Sequence, residues 1–155
     1  MFLWVGKTKA PYARLGVEEY LGRVRRYQPC RIVTVSEERQ DSRYSMAHRV
    51  ERDSARILSR LGDLEPAFVL VIDPRGQDTN SRDLADLLRR VCYEDSRRLV
   101  FVVGGPDGLS SRVRDRADHV LGLSHLTFPH DMARLLLAEQ VYRALTIIHG
   151  RPYDR

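Results

Sequence analysis

Leu99-Val100-Phe101-Val102-Val103 is an apolar run, and Gly104-Gly105-Pro106-Asp107-Gly108 follows it directly. A short apolar run bounded by a turn signal is typical of a strand that is buried on both faces. The glycines permit positive φ angles and let a ligand approach the backbone closely. The sequence therefore predicts a central strand that ends in a loop suited to binding.

The same pattern occurs on both sides of this stretch. Phe68–Ile72 is a second apolar run, ended by Asp73–Gly76, and His119–Leu123 is a third, ended by Ser124–His130. Helical patterns separate these runs, which indicates βαβ units and a mainly parallel sheet. Ligands of such sheets bind at the carboxyl ends of the strands, where the three loops lie. Taken alone, the glycine-rich loop is better explained as an ordinary tight turn, and residues 126–130 could likewise be only a loop before a helix. The dinucleotide fingerprint is absent.

The remaining elements complete an α/β pattern. Strands are predicted at 2–5 and 31–35, and helices at 11–27, 46–61 and 131–148. Two further helices are predicted, one from Asn80 or Ser81 to Val91 and a short one from Ser110 or Ser111. Gly150 is the predicted C-terminal cap of the last helix. We expect the first helix to turn Tyr12, Leu15, Tyr20, Leu21 and Val24 inward. The apolar side of the second helix is formed by Met46, Val50, Ile57, Leu58 and Leu61.

The last predicted helix has no clean polar face. Its apolar residues are Met132, Leu135, Leu136, Leu137, Val141, Leu145, Ile147 and Ile148. A helix that is apolar nearly all round must be buried on more than one side. We therefore expect one side of it to contact a second copy of the chain.

Length and composition favour one soluble domain spanning residues 1–155. The chain has 43% hydrophobic and 30% charged residues, which is typical of a globular protein. No apolar run is long enough to span a membrane, and the first residues do not resemble a signal peptide. Cys30 and Cys92 form no metal-ligand pattern, and two thiols in a reducing compartment are favoured over a disulfide. We expect a cytoplasmic protein without a metal ion.

The net charge of +5 is concentrated at the start of the chain. Residues 1–35 contain seven lysines and arginines and two glutamates, whereas the rest of the chain sums to zero. A basic surface of this kind indicates a polyanionic partner such as nucleic acid. A solvated basic helix is the alternative on charge alone.

A combination of motifs is far more specific than any single loop. The sequence resembles the 23S rRNA pseudouridine N3-methyltransferases of the SPOUT superfamily over nearly its whole length. The blocks that carry the resemblance are Val5-Gly6-Lys7, Glu19-Tyr20-Leu21, Val71–Gly76, Val102–Leu109, Leu121–His130, Ala133–Ala144 and Pro152-Tyr153.

The resemblance implies a SPOUT-type α/β knot, with a mainly parallel sheet flanked by helices and a deep trefoil knot in the C-terminal part. It also implies a homodimer that methylates a pseudouridine of 23S rRNA in the large ribosomal subunit. S-adenosylmethionine is expected to bind in the knot. The positions implied for cofactor binding are Ile72, Gly104, Gly105, Leu123, Ser124, His125, Leu126, Thr127 and Phe128.

The chemistry requires alignment of the methyl donor with an imide nitrogen and stabilisation of the charge at that imide. We expect Arg143, Tyr153 and Asp154 to be the catalytic residues. Of these, Arg143 suits the charge of the reaction, because an arginine can hold a phosphate or a developing oxyanion. RNA contacts are expected from Arg23, Arg25, Arg26 and Arg155.

The tail departs from the family at one position. The family usually has histidine where this chain has Asp154. A carboxylate is a poorer base than an imidazole at neutral pH. The general base therefore stays open among Asp154, His125, His130 and water.

Two other functions remain open from the sequence. One is a SPOUT methyltransferase that acts on tRNA, which the tail motif and the length of the chain disfavour. The other is a ribosome-binding protein that has kept the fold and lost catalysis. Intact cofactor loops disfavour this second function, and Asp154 mildly favours it.

Overall fold

A computed structural model describes residues 1–153 of the chain. Its strands are β1 (Phe2–Val5), β2 (Ile32–Val35), β3 (Ala67–Asp78), β4 (Arg98–Val103) and β5 (His119–Gly122). Its α-helices are α1 (Pro11–Val24), α2 (Met46–Gly62), α3 (Ser81–Arg89), α4 (Ser111–Arg116) and α5 (His130–Ile148), and a π-helical turn (Arg90–Glu94) follows α3.

The five strands form one sheet in the order β2-β1-β4-β3-β5, and every strand pairs with its neighbour in parallel. Alternate residues of each central strand enter one of two cores. One core lies between the sheet and α1, α3 and α5, and includes Phe2, Leu70 and Phe101. The other includes Leu3 and Val100 of the sheet together with Ile57 of α2. The predicted α/β architecture with a parallel sheet flanked by helices is confirmed, and the trefoil knot stays a prediction.

Strand β3 differs from the prediction that it ends before Asp73. It continues to Asp78 through a bulge, because Ile72 and Gln77 both pair with Leu121 of β5 and the residues between them project from the ladder. The backbone of Gly76 lies directly against that of β5. A Cβ atom added to Gly76 would lie 2.4 Å from the carbonyl carbon of Leu121 and 2.6 Å from the amide nitrogen of Gly122.

The inward face of α1 was predicted wrongly at two positions. Tyr12 is 53% exposed and Leu15 is 62% exposed. The face that packs inward is instead formed by Ala13, Val17, Leu21 and Val24. The helix is rotated because Gly16 leaves space for Leu135 of α5. A Cβ atom at Gly16 would lie 2.5 Å from Leu135 Cδ1.

Helix α2 also begins differently from the expectation. Met46 was placed on its apolar side but is exposed, and the buried residues of α2 begin only at Asp53. The first two turns of α2 therefore extend beyond the core.

Helix α5 is buried mainly by contacts within the chain. It packs on α1, α3 and β4, and every residue from His130 to Ile148 is buried or half-buried. The predicted burial on more than one side is confirmed, whereas the contact with a second copy stays a prediction. At its C-terminus Gly150 has φ +61°, and the amides of Gly150 and Arg151 donate to the carbonyls of Ile147 and Thr146. This pattern is a Schellman motif.

Candidate functional site

The bulge of β3 and the loops after β4 and β5 meet in one cavity. Its volume is about 420 Å³, and the first turn of α5 closes one side. Loops from three separate parts of the chain converge there because β4 and β5 flank β3 in the parallel sheet. The lining residues are Ile72, Asp73, Pro74, Val103, Gly104, Gly105, Pro106, Asp107, Gly108, Leu109, Leu123, Ser124, Leu126, Thr127, Phe128, Pro129, His130 and Ala133.

All but one of the positions expected to bind the cofactor line this cavity. The lining set includes Ile72, Gly104, Gly105, Leu123, Ser124, Leu126, Thr127 and Phe128. His125 does not belong to it. Its side chain is 88% exposed, and its Nε2 lies 3.1 Å from Asp78 Oδ2 on the outer surface.

The glycine-rich loop is held from behind by α2. Ser54 Oγ accepts a hydrogen bond from the Ser110 amide at 3.0 Å. Of Gly104, Gly105 and Gly108, only Gly108 has a positive φ, at +88°. A Cβ atom at Gly105 would point toward Val5 Cγ1, 3.1 Å away. Of these three glycines only Gly108 uses the freedom to adopt a positive φ, and a side chain at Gly105 would enter the protein interior.

Two carboxylates in the cavity wall were not singled out from the sequence. Asp107 Oδ2 accepts a hydrogen bond from Arg49 Nε at 2.7 Å and another from Gln40 Nε2 at 3.3 Å. The hydrogen bond from Arg49 lowers the pKa of Asp107. Sequence reasoning missed this residue because an aspartate in a glycine-rich turn is also a common turn former. Its partner Arg49 lies 58 positions away.

Asp73 is the second carboxylate of the wall. Its Oδ1 accepts a hydrogen bond from the Arg75 amide at 2.9 Å, and its Oδ2 lies 3.3 Å from Arg114 Nη1. The same guanidinium donates to the Leu109 carbonyl at 2.7 Å. Arg114 therefore joins the bulge of β3 to the loop after β4.

His130 lies where α5 enters the cavity wall. Burial, followed by the charge of Arg134, lowers its pKa. Its neighbour Asp131 accepts hydrogen bonds from the amides of Lys9 and Ala10 at 2.9 and 2.8 Å, so α5 is fixed to the start of α1.

Arg134 lies beneath these residues and is fully buried. It bonds Asp131 Oδ1 at 3.1 Å and also donates to the Val5 carbonyl. Its guanidinium carbon lies 5.2 Å from the centre of the Trp4 ring. A buried ion pair with these hydrogen bonds fixes the wall behind His130.

The expected catalytic residues Arg143 and Tyr153 lie near the other end of α5. Arg143 donates to Glu139 Oε1 from Nε at 3.0 Å and from Nη2 at 2.7 Å, and the Tyr153 hydroxyl donates to the same oxygen at 3.2 Å. The Tyr153 ring also contacts Tyr142, with ring centres 4.7 Å apart. We call Tyr20, Glu139, Tyr142, Arg143 and Tyr153 the tail platform.

The tail platform is remote from the cavity. Neither Arg143 nor Tyr153 lines it, and the helical rise of 1.5 Å per residue places Arg143 about 20 Å along α5 from His130. Burial, followed by the hydrogen bond with Tyr20, raises the pKa of Tyr153. Asp154 lies outside the described residues.

The described arginines expected to bind RNA lie at the end of α1 and just after it, and Arg23 is next to the tail platform. Arg23 bonds Glu19 at 2.6 Å, and its guanidinium carbon lies 5.5 Å from the centre of the Tyr20 ring. Arg25 donates to the Cys30 carbonyl at 3.2 Å, and Arg26 is exposed. Arg155 lies outside the described residues.

The described part of the chain holds no group of three or more histidines, cysteines or acidic residues placed to hold a metal ion. None of its helices is long and apolar enough to cross a membrane.

Comparison with known proteins gives a consistent result. A family model described as "Predicted SPOUT methyltransferase" matches residues 1–154. The chain is 40% identical over 153 residues to the ribosomal RNA large subunit methyltransferase H of Syntrophobacter fumaroxidans, covering 99% of this chain and 97% of the relative. It is also 40% identical over 153 residues to the protein of the same name from Geobacter metallireducens, covering 97% and 95%.

Solved structures show the same fold at low sequence identity. A probable methylase family protein from Haemophilus influenzae has a TM-score of 0.58 at 13% identity, covering 99% of this chain and 69% of that one. A probable methyltransferase from Bordetella pertussis has a TM-score of 0.55 at 16% identity, covering 93% and 94%.

Proposed function

Because this chain belongs to the SPOUT methyltransferase family, we propose that it transfers a methyl group from S-adenosylmethionine to N3 of a pseudouridine in 23S rRNA of the large ribosomal subunit. The observation that carries the proposal is the convergence of three distant loops on one cavity. Relatives about 40% identical over nearly the whole chain are named as methyltransferases of the large-subunit rRNA. The chain acts as a single domain, in the cytoplasm where ribosomes lie.

The cavity fits the proposed cofactor chemically. Its walls combine apolar side chains, such as Leu109 and Phe128, with backbone from the glycine-rich loop. Apolar walls with a few convergent polar groups are usual for a small-molecule site. When bound, S-adenosylmethionine supplies an activated methyl group on a sulfonium.

The chain's own residues then hold and polarise the acceptor. The guanidinium of Arg143 stabilises the negative charge that develops on the pseudouridine imide. Tyr153 stacks on the base or holds it beside that guanidinium. Asp154 orients neighbouring groups, and the imide proton leaves to water.

A homodimer resolves the separation between the cavity and the tail platform. In one chain Arg143 lies about 20 Å along α5 from the cavity, too far to contact a base whose nitrogen meets the donor methyl group. A second copy can place its own tail platform over this cavity. Tyr12, Leu15 and Leu126 are exposed apolar residues that suit such an interface, and Leu126 belongs to the cavity wall.

The basic end of α1 contributes the RNA surface. Arg23 lies beside the tail platform and Arg25 and Arg26 follow it in the chain, so that the three can contact phosphates near the target base. Phosphate contacts of this kind fix the register of an RNA without reading its sequence.

The decisive experiment is a methylation assay on large ribosomal subunits from cells that lack the modification. We expect one methyl group on a pseudouridine of 23S rRNA, detected by mass spectrometry of nuclease fragments. Total tRNA and subunits that carry uridine at the target serve as parallel substrates. Methylation of tRNA alone would contradict the proposed substrate, and binding of S-adenosylmethionine without any methylation would contradict the proposed catalysis.

Mixing two inactive variants tests the shared site. Ala133→Phe fills the cavity, and Arg143→Ala removes the tail guanidinium. Random pairing of equal amounts leaves about one quarter of the composite sites intact, because each mixed dimer retains one complete site. We therefore expect about a quarter of the activity to return in the mixture. If the mixture stays inactive while each variant remains folded, the composite site is wrong.

A further inference from the structure

The charged side chains that line the cavity are all acidic. Among its lining residues the ionisable side chains are Asp73, Asp107 and His130, and none is lysine or arginine. The whole chain carries a net charge of +5, so this wall differs in sign from the protein as a whole.

Asp107 lines the cavity, whereas the arginine that pairs with its carboxylate does not. Arg49, which pairs with it at 2.7 Å, belongs to α2 and does not line the cavity. Both side chains are largely buried, with 14% of Arg49 and 19% of Asp107 exposed. The hydrogen bond from Arg49 lowers the pKa of Asp107, so the member of the pair that lines the cavity is negatively charged at neutral pH.

The other two ionisable groups of the lining, Asp73 and His130, add no positive charge to the cavity wall. Asp73 is arranged in the same way, with Arg114 at 3.3 Å and also outside the lining. His130 has a lowered pKa because it is buried and lies near Arg134. It therefore remains neutral at physiological pH.

We infer that Asp107, supported by Asp73, makes the cavity select the positively charged methyl donor over its neutral demethylated product. The inference rests on the proposed function, because it concerns S-adenosylmethionine and S-adenosylhomocysteine. In the transfer the methyl–sulfur bond breaks and its electron pair stays on sulfur. The methyl group forms a bond to N3, and the imide proton goes to water.

The two compounds differ at the sulfur by one positive charge and one methyl group. A carboxylate in a partly buried wall attracts the cation more strongly than it would in bulk water. This attraction is lost when the sulfonium becomes a neutral thioether, so the product is held less tightly than the donor and is released more readily. Asp107 is a residue that sets specificity in the cofactor site.

Calorimetry with three ligands separates recognition of charge from recognition of shape. S-adenosylmethionine carries a sulfonium, sinefungin carries an ammonium group at the corresponding place, and S-adenosylhomocysteine carries neither. In Asp107→Asn we expect about tenfold weaker binding of the two cations and about the same affinity for the neutral product, because only a charge is removed. Asp115→Asn, on the exposed face of α4, is the matched control and should leave all three affinities unchanged.

Arg49→Gln supplies the opposite change. It removes the counterion but keeps a hydrogen-bond donor, so the preference for the cations over the neutral product should rise. Equal losses for all three ligands in Asp107→Asn would show that Asp107 only holds the loop, and would overturn the inference. Unchanged affinities would overturn it as well. A wild-type protein that binds none of the three would instead refute the proposed function, and the inference with it.

Discussion

The two ends of α5 are built for different tasks. At its start, the side chains around the cavity are packed, and each carboxylate of the wall is paired with an arginine from another element. Near its end, the tail platform is a layer of tyrosines and one arginine around Glu139, in which the Tyr153 ring lies 4.9 Å from the guanidinium carbon of Arg143. The first end suits a small ligand with a fixed shape, and the second suits a flat base beside a phosphate backbone.

Under the proposed function, this difference lets one small chain serve two substrates. One helix carries both surfaces, and its rigidity keeps them about 20 Å apart. A single copy therefore cannot apply both surfaces to one reaction. Changes at one end should leave the task of the other end intact, which gives a direct way to test the comparison.

The largest effect is expected where the cavity end depends on close backbone packing. Gly76→Val would force a Cβ atom to within 2.4 Å of the Leu121 carbonyl carbon. We expect a loss of more than about 4 kcal/mol in the free energy of unfolding, or no folded protein. Urea unfolding followed by circular dichroism measures this loss.

The matched control is Gly62→Ala at the end of α2, where an added Cβ atom meets nothing within 4 Å. It should change stability by less than about 1 kcal/mol, and in the stabilising direction. A Gly76→Val protein as stable as wild type would show that β3 and β5 do not approach as closely as described.

The second-largest effect is expected at the tail-platform end of α5, where a substitution should change the methylation rate but not the cofactor affinity. Arg143→Ala should lower the methylation rate about 100-fold, because a charged donor at the acceptor is removed. It should leave the affinity for S-adenosylmethionine unchanged. Arg89→Ala, on the exposed side of α3, is the control for removing an arginine. A fall in cofactor affinity as large as the fall in rate would contradict the separation.

A smaller effect concerns pH at the cavity end. Burial, followed by the charge of Arg134, lowers the pKa of His130 in the folded protein. Below the ordinary histidine pKa of about 6.5, the unfolded chain therefore binds more protons at this residue than the folded protein does. The contribution of neutral His130 to the free energy of unfolding should therefore be fully present above about pH 6.5. It should be lost as the pH falls from there through the lowered pKa of the folded state. Thermal unfolding from pH 7.5 to pH 5 should show a smaller loss in His130→Gln than in wild type. Identical losses would mean that other groups carry the acid sensitivity.

The smallest effect is expected at the RNA surface beside the tail platform. Replacing Arg23, Arg25 and Arg26 with alanine should weaken RNA binding across sequences. The salt slope should fall by about one unit for each phosphate that the variant no longer binds. Arg60→Ala on α2 is the control, since α2 belongs to the other core. If the affinity for RNA and its salt dependence stay the same, these arginines do not bind RNA and only keep the surface of the helix hydrated.

The sequence predicted the elements whose signals are local. The apolar run 99–103 and the glycines after it predicted β4 and its loop. Asn80 was one of two residues predicted to cap α3, and in the structure its side chain accepts two backbone hydrogen bonds. The loops expected to bind a ligand do form one cavity, because strand ends in a parallel sheet share one edge.

What the sequence did not predict depends on partners far along the chain. Tyr12 and Leu15 are exposed because Leu135 occupies the space at Gly16. Strand β3 continues past Asp73 because β5 pairs with it on both sides of the bulge. The paired state of Asp107 depends on Arg49, and no local pattern joins those two residues.

The pairing of β5 with β3 also determines when the cavity can exist during synthesis. The close approach joins Gly76 to Gly122, so the ribosome must release more than three quarters of the chain before this wall can close. Contacts between distant residues form late, because the intervening loop must be ordered first. A nascent chain therefore has its basic helix α1 long before it has a cavity, and a ligand can bind there only after Gly122 has left the ribosome.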